Sequence, residues 1–256
     1  MNMQADDRTI IAVTGGDRVK FLQGLVTNDV PEVEDTLVYA ALLTPQGKYL
    51  ADFFMLTQND AILLDVAETF ADGLIQRLNM YRLRADVLIE RSEVQVQRGI
   101  DGKPVGALPD PRHPALGWRQ YGDSANSDNT DWGAILVAHA IPQTGVELIP
   151  NDTFILEAGF ERLNGVDFKK GCYVGQEVTA RMKHKVELQK GLARVSVSGS
   201  APVGTEILSN GKVAGVLYSQ SEGQGIAFLR FARAGADMVA GDAIVTFNKS
   251  DQSDSS

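Results

Sequence analysis

Short β-like runs, closed by turn residues and broken by only a few helical stretches, recur along the whole chain, and this alternation limits the fold more than any other feature. Thr9–Val13 reads as a strand followed by a Thr-Gly-Gly turn, with Asp17 placed to cap a helix reaching about Val26. Thr36–Thr44 and Lys48–Thr57 form a hairpin around Pro45-Gln46-Gly47, and Ala61–Val66 follows as a further strand. Glu68–Leu83 carries Phe70, Leu74 and Leu78 on one helical face, and Ala85–Arg91 and Val94–Arg98 return to strand. Residues 99–132 are rich in Gly, Pro, Asp, Asn and Ser, so they read as a mobile connection between two lobes. Asp131 is placed to cap a helix over Trp132–Ala140. Beyond residue 185, Glu187–Val197, Thr205–Ser209, Lys212–Ser219, Gly225–Arg230 and Asp242–Phe247 are short strands, with an Asn210-Gly211 hairpin turn. The pattern predicts an α+β region over 1–185, a small antiparallel barrel or sandwich over 186–248 and a frayed polar tail over 249–256.

Charge and cysteine content exclude several functions. The net charge of −9 argues against general nucleic-acid binding and against attachment to a membrane surface. Locally the balance reverses, because residues 162–194 hold eight Lys/Arg against three Asp/Glu. That excess is either a solvated face or an anion-attracting cleft suited to a polycarboxylate. One cysteine, Cys172, forbids an internal disulfide, a multi-cysteine zinc site and a four-thiolate cluster within one chain. A reducing cytoplasm is the expected location. The first ten residues have neither an apolar core nor an acid-free Arg/Ser run, so no signal or transit peptide is expected. The apolar run Leu37–Leu43 is far too short to span a bilayer.

The stretch Phe168–Lys185, FKKGCYVGQEVTARMKHK, is where chemistry concentrates. Gly171 and Gly175 bracket Cys172, Lys169 and Lys170 precede it, and a helix is expected to begin near Val174 or Gly175. Glu177 and Arg181 fall at i,i+4 on that helix. Flanking lysines and a helix N-terminus favour the thiolate, with Lys170 expected to hold it. The competing reading is a buried, inert thiol, the commoner fate of a single cysteine. His184 is twelve residues on, about 18 Å along a helix, so a Cys-His dyad is not expected. His113, His139 and His184 lack metal-ligand spacing, and neither a P-loop nor a strand-linked G-x-G-x-x-G is present.

KGCYVGQE, with Phe168 and Lys169 before it and Val178–Arg181 after it, resembles the signature of the YgfZ-type folate-binding proteins, relatives of the glycine-cleavage T-protein, an aminomethyltransferase. FLQGLVTNDV at 21–30, PQGKYLADFFML at 45–56, YRLRADV at 81–87, DPR at 110–112, TGVELIP at 144–150 and LEAGFERLNGVDF at 156–168 agree in order, so the resemblance spans about residues 8–230. It implies T-protein-like lobes around a central channel, tetrahydrofolate as cofactor, and a role in assembly or repair of iron–sulfur proteins, with those proteins or their assembly machinery as partners. Cys172 would face the channel, with Lys169, Gly171, Tyr173 and Gly175 completing its loop and Gln176, Glu177 and Arg181 shaping the helix mouth. Glu157 in Leu156-Glu157-Ala158-Gly159 corresponds to the T-protein glutamate on the pterin, where a carboxylate suits two adjacent N–H donors. Gln23, Thr27, Asn28 and Asp29 either line the same pocket or terminate the first helix, and Asp65 and Tyr81 stand at element ends where pockets form. The chain departs from the aminomethyltransferases at Ala51-Asp52, where a pair of acids is the rule, and in a minor way at Ala140. Aminomethyl transfer is therefore the alternative activity, and a non-enzymatic folate sensor or chaperone is a third.

Overall fold

A computed structural model describes residues 8–31, 36–124, 129–184 and 188–248. The N-terminal leader reading, the Asn-Ser run at 125–128, the first residue of the Glu187–Val197 strand and the polar tail lie outside these residues. The chain forms two compact units, residues 1–130 with 163–177, and residues 131–162 with 178–256.

The first unit is built on a five-stranded antiparallel sheet. Its strands are β1 (Arg8–Thr14), β2 (Val38–Leu43), β3 (Tyr49–Gln58), β4 (Ala61–Ala67) and β5 (Leu88–Ser92), in the order β2-β3-β4-β1-β5. Alternation along the strands gives the sheet two different buried faces. Ile11, Val13, Ala40, Leu42, Phe53, Met55, Ile62, Leu64 and Val66 join Leu22, Leu74 and Leu78 in an apolar core, the last three supplied by α1 (Arg18–Gln23) and α2 (Glu68–Arg82). The opposite face is also buried and sets Asp52 and Asp65 among Tyr39, Phe54 and aliphatic side chains such as Leu43 and Leu63.

That second face is where the structure departs from the sequence reading. Residues 99–124, expected to be a mobile connection, contribute β7 (Leu108–Pro109), a 3₁₀ turn at Pro114–Leu116 and β8 (Trp118–Gly122) to a three-stranded sheet with β6 (Gln95–Gly99), in the order β6-β8-β7. Buried ion pairs join these segments to the five-stranded sheet, beside the buried side chains of Leu108, Leu116 and Trp118. Arg119 donates to Asp65 at 3.0 Å and to Asp110 at 3.0 Å, while Arg112 donates twice to Asp110 at 3.0 and 2.9 Å. Arg8 closes the other side of Asp65 at 2.6 Å, and Tyr121 donates its hydroxyl to the same carboxylate at 2.8 Å. All three guanidinium groups stack on the Phe54 ring, Arg119 most closely at 4.0 Å from its centroid. Burial alone raises the Asp110 pKa, but Arg112 and Arg119 outweigh it and hold the carboxyl well below the usual range.

The second unit is a helix on a closed six-stranded antiparallel barrel. α3 (Trp132–Ala138) is capped by Asp131, which accepts from the Ala134 N–H at 2.9 Å, as expected, and it packs against the barrel strands. The strands are β9 (Lys190–Ser198), β10 (Thr205–Ser209), β11 (Lys212–Ser221), β12 (Gln224–Arg230), β13 (Met238–Ala240) and β14 (Ala243–Thr246), in the cyclic order β10-β11-β12-β9-β14-β13. Closure settles the choice between barrel and sandwich and depends on β13, a three-residue strand too short to register as a pattern. At the β10–β11 turn Asn210 and Gly211 have φ of 49° and 73°, the positive pair that a tight hairpin demands.

Three smaller expectations need correction. Asp17 does not cap α1 with its side chain; its Oδ2 accepts instead from the Asp86 N–H at 2.8 Å. β5 starts at Leu88, because residues 83–87 are taken up by turns. α4 spans Gln176–Lys183, and it starts after Gly175 because that residue's φ of 84° is not helical.

The ion cluster generates a stability prediction. Arg119→Met leaves two buried carboxylates short of a partner and is expected to cost about 3–5 kcal/mol in urea unfolding. A loss below about 1 kcal/mol, the range of exposed pairs, would mean that the cluster does not support the sheet.

Candidate functional site

The signature loop is fixed by what happens where α1 ends. A helix terminus leaves its last carbonyls without partners, and here the Lys170 ammonium takes up that of Gln23 together with two from the segment after α1. Its Nζ donates to the carbonyls of Gln23, Val26 and Asn28 at 3.0, 2.7 and 2.8 Å, which uses all three ammonium hydrogens. The Tyr173 ring lies 5.3 Å from the same Nζ. Lys170 is therefore turned into the protein, which corrects the expectation that it holds the Cys172 thiolate.

The residues expected to line a folate pocket with α1 are spent on the same clasp. Thr27 donates its hydroxyl to the Gly165 carbonyl at 2.7 Å and accepts from the Ala41 N–H at 2.8 Å. Asn28 Nδ2 donates to the carbonyls of Tyr39 and Asn164 at 2.9 and 2.7 Å. Gln23 donates to Asp29 and accepts from the Val30 N–H. Thr27 and Asn28 thus tie residues 164–165 to the segment after α1, while Gln23 closes that segment on itself.

Downstream of the thiol the backbone is anchored again. Val174 N–H donates to the Gly24 carbonyl at 3.3 Å, and Gly175 passes so close to β2 that an added Cβ would stand 2.6 Å from the Thr44 carbonyl oxygen. Between these anchors Gly171 and Cys172 are exposed. Gln176 reaches back from the first turn of α4 to the Gly171 carbonyl at 3.4 Å. Lys169, Glu177 and Arg181 are also exposed, with the Lys169 N–H donated to Asp167 at 2.7 Å. The thiol is thus presented to solvent on a short span held at both ends, not packed as filler.

Asp65 and Asp52 prove to be structural. Asp65 is fully buried in the ion cluster, so the expectation that it lines a pocket is corrected. Asp52 accepts hydroxyl hydrogens from Tyr39 at 2.9 Å and Tyr49 at 2.6 Å. Burial and then the neighbouring Asp52 push the Tyr39 hydroxyl pKa well above its ordinary value, so this tyrosine stays protonated. Tyr81 stands on the exposed last turn of α2.

Glu157 belongs to the second unit and does face a pocket. The cavity, about 370 Å³, is lined by Glu157, Met182, Leu188, Lys190, Arg230 and Arg233, among others. The Glu157 main chain is held by the Leu192 N–H at 2.7 Å, and its carboxylate lies 3.4 Å from Lys190 Nζ with only 10% of the side chain exposed. A nearly buried carboxylate with cations around it recognises a donor edge and an anionic group on one molecule. Arg230 and Arg233 went unnoticed in the sequence because one ends a strand and the other sits in the turn after it, with no motif marking either.

Lys170 supplies the test of this geometry. Lys170→Met removes three hydrogen bonds at once and is expected to cost roughly 2–4 kcal/mol. Burial lowers the ammonium pKa from 10.5 to about 8, with Asp29 and Asp167 restoring part of the shift. A depressed folded-state pKa gives a contribution fully present above 10.5 and lost as pH falls through about 8. Stability of the wild type should therefore carry a rising component between these values that Lys170→Met lacks, measured by urea unfolding across pH. Identical pH slopes in the two proteins would mean that the Lys170 ammonium is not desolvated in the folded chain.

Comparison with known proteins agrees with this architecture. Residues 189–254 match the family described as CAF17, C-terminal beta-barrel domain. The chain is 29% identical over 230 residues to the mitochondrial iron–sulfur cluster assembly factor IBA57 homolog of Mycosarcoma maydis, covering 76% of this chain and 57% of that protein. It is 29% identical over 209 residues to the Pyricularia oryzae homolog, covering 72% and 54%, so the chain spans little more than half the length of these fungal relatives. The human mitochondrial IBA57 is 28% identical over 269 residues, with 88% and 76% covered. The expected cytoplasmic location is overturned by this finding, since these relatives carry a mitochondrial designation. Among solved structures, the glycine cleavage system aminomethyltransferase T from Bartonella henselae matches with a TM-score of 0.74 at 13% identity, over 94% of this chain and 83% of that one. The fold is that of the T-protein, an α+β architecture ending in a closed antiparallel barrel, and in sequence the chain is similar to iron–sulfur assembly factors of the IBA57 type.

Proposed function

We propose that this chain is an accessory factor in the assembly or repair of iron–sulfur proteins, acting on those proteins or their assembly machinery, with Cys172 as its reactive group and a tetrahydrofolate as its cofactor. The exposure of Cys172 on a loop anchored at Lys170 and Val174 carries this reading, because a thiol kept for packing would not be held out to solvent by so many hydrogen bonds. Similarity to proteins named iron–sulfur cluster assembly factors supports the biological setting. The match of residues 168–181 to the YgfZ-type signature supports the finer assignment and the folate. Glu157 is the residue suited to the pterin: its near-buried carboxylate accepts two parallel N–H donors, and Lys190, Arg230 and Arg233 suit the glutamyl carboxylates.

Aminomethyl transfer is disfavoured on chemical grounds. The one acid left at Ala51-Asp52 is occupied by two tyrosine hydroxyls, so no carboxylate there is available to handle charge at a reacting nitrogen.

Two expected outcomes follow. Glu157→Ala should weaken binding of tetrahydrofolate in calorimetric titration by roughly 1.5–3 kcal/mol; unchanged affinity removes Glu157 from the site. Cys172→Ser should keep the wild-type Tm and folate affinity while failing to restore iron–sulfur enzyme activity in cells that lack the corresponding factor. Full restoration at matched expression would sink the proposed role of the thiol.

A further inference from the structure

The C-terminal end of α2 carries a surface that neither the folate nor the thiol explains. Ala71, Leu74 and Leu78 turn toward the core, Arg77 and Met80 lie away from it, and Tyr81, three residues after Leu78, borders the buried stripe where the helix ends. Leu83 and Arg84 follow at once in the turn toward β5. Met80 is 71% exposed and Leu83 89%, an unusual concentration of apolar surface within four residues.

The backbone makes Leu83 stand out further. It has φ of 45° and ψ of −102°, a conformation at a helix end that ordinarily falls to glycine. A leucine there costs backbone strain and, being exposed, returns no burial, so folding does not account for it.

Charge separates this end of the helix from the other. Arg91 pairs with Glu68 and Asp72 at 3.0 and 2.8 Å, so the N-terminal half of α2 carries two acids against one base. Arg8, Arg112 and Arg119 are consumed by Asp65 and Asp110. By contrast, the guanidinium groups of Arg77, Arg82 and Arg84 have no hydrogen bond or ion pair among the described residues. The nearest acid in sequence, Asp86, accepts from the Gly16 N–H at 3.1 Å. A patch of three uncommitted arginines on a chain of net charge −9 is a local inversion of sign.

We propose that Arg77, Met80, Tyr81, Arg82, Leu83 and Arg84 form a docking surface for an acidic protein segment, one in which carboxylates flank an apolar side chain. Three guanidinium forks suit carboxylates, which they bind in paired hydrogen bonds, and Met80 and Leu83 supply the apolar contact. A membrane surface fits less well, because the apolar face of α2 that would enter a bilayer is already buried in the core. This surface is independent of the reading of Cys172 and Glu157, and its test reports on peptide binding alone.

The probes are a fluorescein-labelled amphipathic peptide with glutamates flanking a leucine–phenylalanine face, the same peptide with lysine for glutamate, and phosphatidylglycerol vesicles. The wild-type chain is expected to bind the acidic peptide and not its lysine counterpart. Arg82→Gln/Arg84→Gln and, separately, Leu83→Gly should each weaken binding by about tenfold or more. Leu83→Gly should also leave Tm unchanged or raise it, since glycine accepts the positive φ without strain. The proposal is overturned by absent binding, by equal binding to the variants or to the lysine peptide, by binding to the vesicles alone, or by a lower Tm in Leu83→Gly.

Discussion

A single buried ammonium decides how the signature loop sits. Lys170 gathers three carbonyls at and after the end of α1, and in doing so ties the stretch preceding Cys172 to residues 23–28. The bonds of Thr27 and Asn28 to Gly165 and Asn164 extend the same seam upstream. What remains between the Lys170 and Val174 anchors is two exposed residues, Gly171 and Cys172. Presentation of the thiol is thus a consequence of backbone satisfaction by the side chains of Lys170, Thr27 and Asn28. Local pre-organisation of this kind lowers the entropy lost when a group meets its partner.

Charge performs the corresponding task on the second face of the five-stranded sheet. A sheet with both faces buried is ordinarily covered by apolar helices, but here three arginines and two aspartates lie over Phe54 and bring the β6-β8-β7 sheet against it. Asp52 between Tyr39 and Tyr49 is part of the same polar layer. Asp52, the one acid that the resemblance to aminomethyltransferases singled out there, is held inside the protein by these two hydroxyls. The position where an aminomethyltransferase keeps a second acid is Ala51, packed in the apolar core of the unit.

Elements with an apolar period were legible, and elements held by polar contacts were not. β10 falls on the expected Thr205–Ser209, and β4 and α2 lie within one residue of expectation, because alternation and the 3.6-residue period are visible in composition. Residues 99–124 read as a connection because their Gly, Pro and Asp content hides a sheet whose polar contacts run through Asp110, Arg112 and Arg119. The same limit left two readings open for Gln23, Thr27 and Asn28 and put Asp65 beside a pocket: in sequence, a polar side chain that satisfies buried backbone or a buried charge is indistinguishable from one that waits for a ligand. Lys170 carried the right importance and the wrong role, since charge next to a cysteine suggests an ion pair until the three carbonyls are in view. Glu157 was found through its motif, whereas the cations that complete its pocket required the fold.

The central claim is that Cys172 is a presented thiol and not a packed one. The rate at which iodoacetamide modifies Cys172 in the folded chain, followed by mass spectrometry across increasing urea, tests it most directly. The account predicts modification without denaturant at nearly the rate of a small free thiol, with no step at the unfolding midpoint. A thiol that stays unmodified until the chain unfolds, with a rate that tracks the unfolding transition, would contradict it.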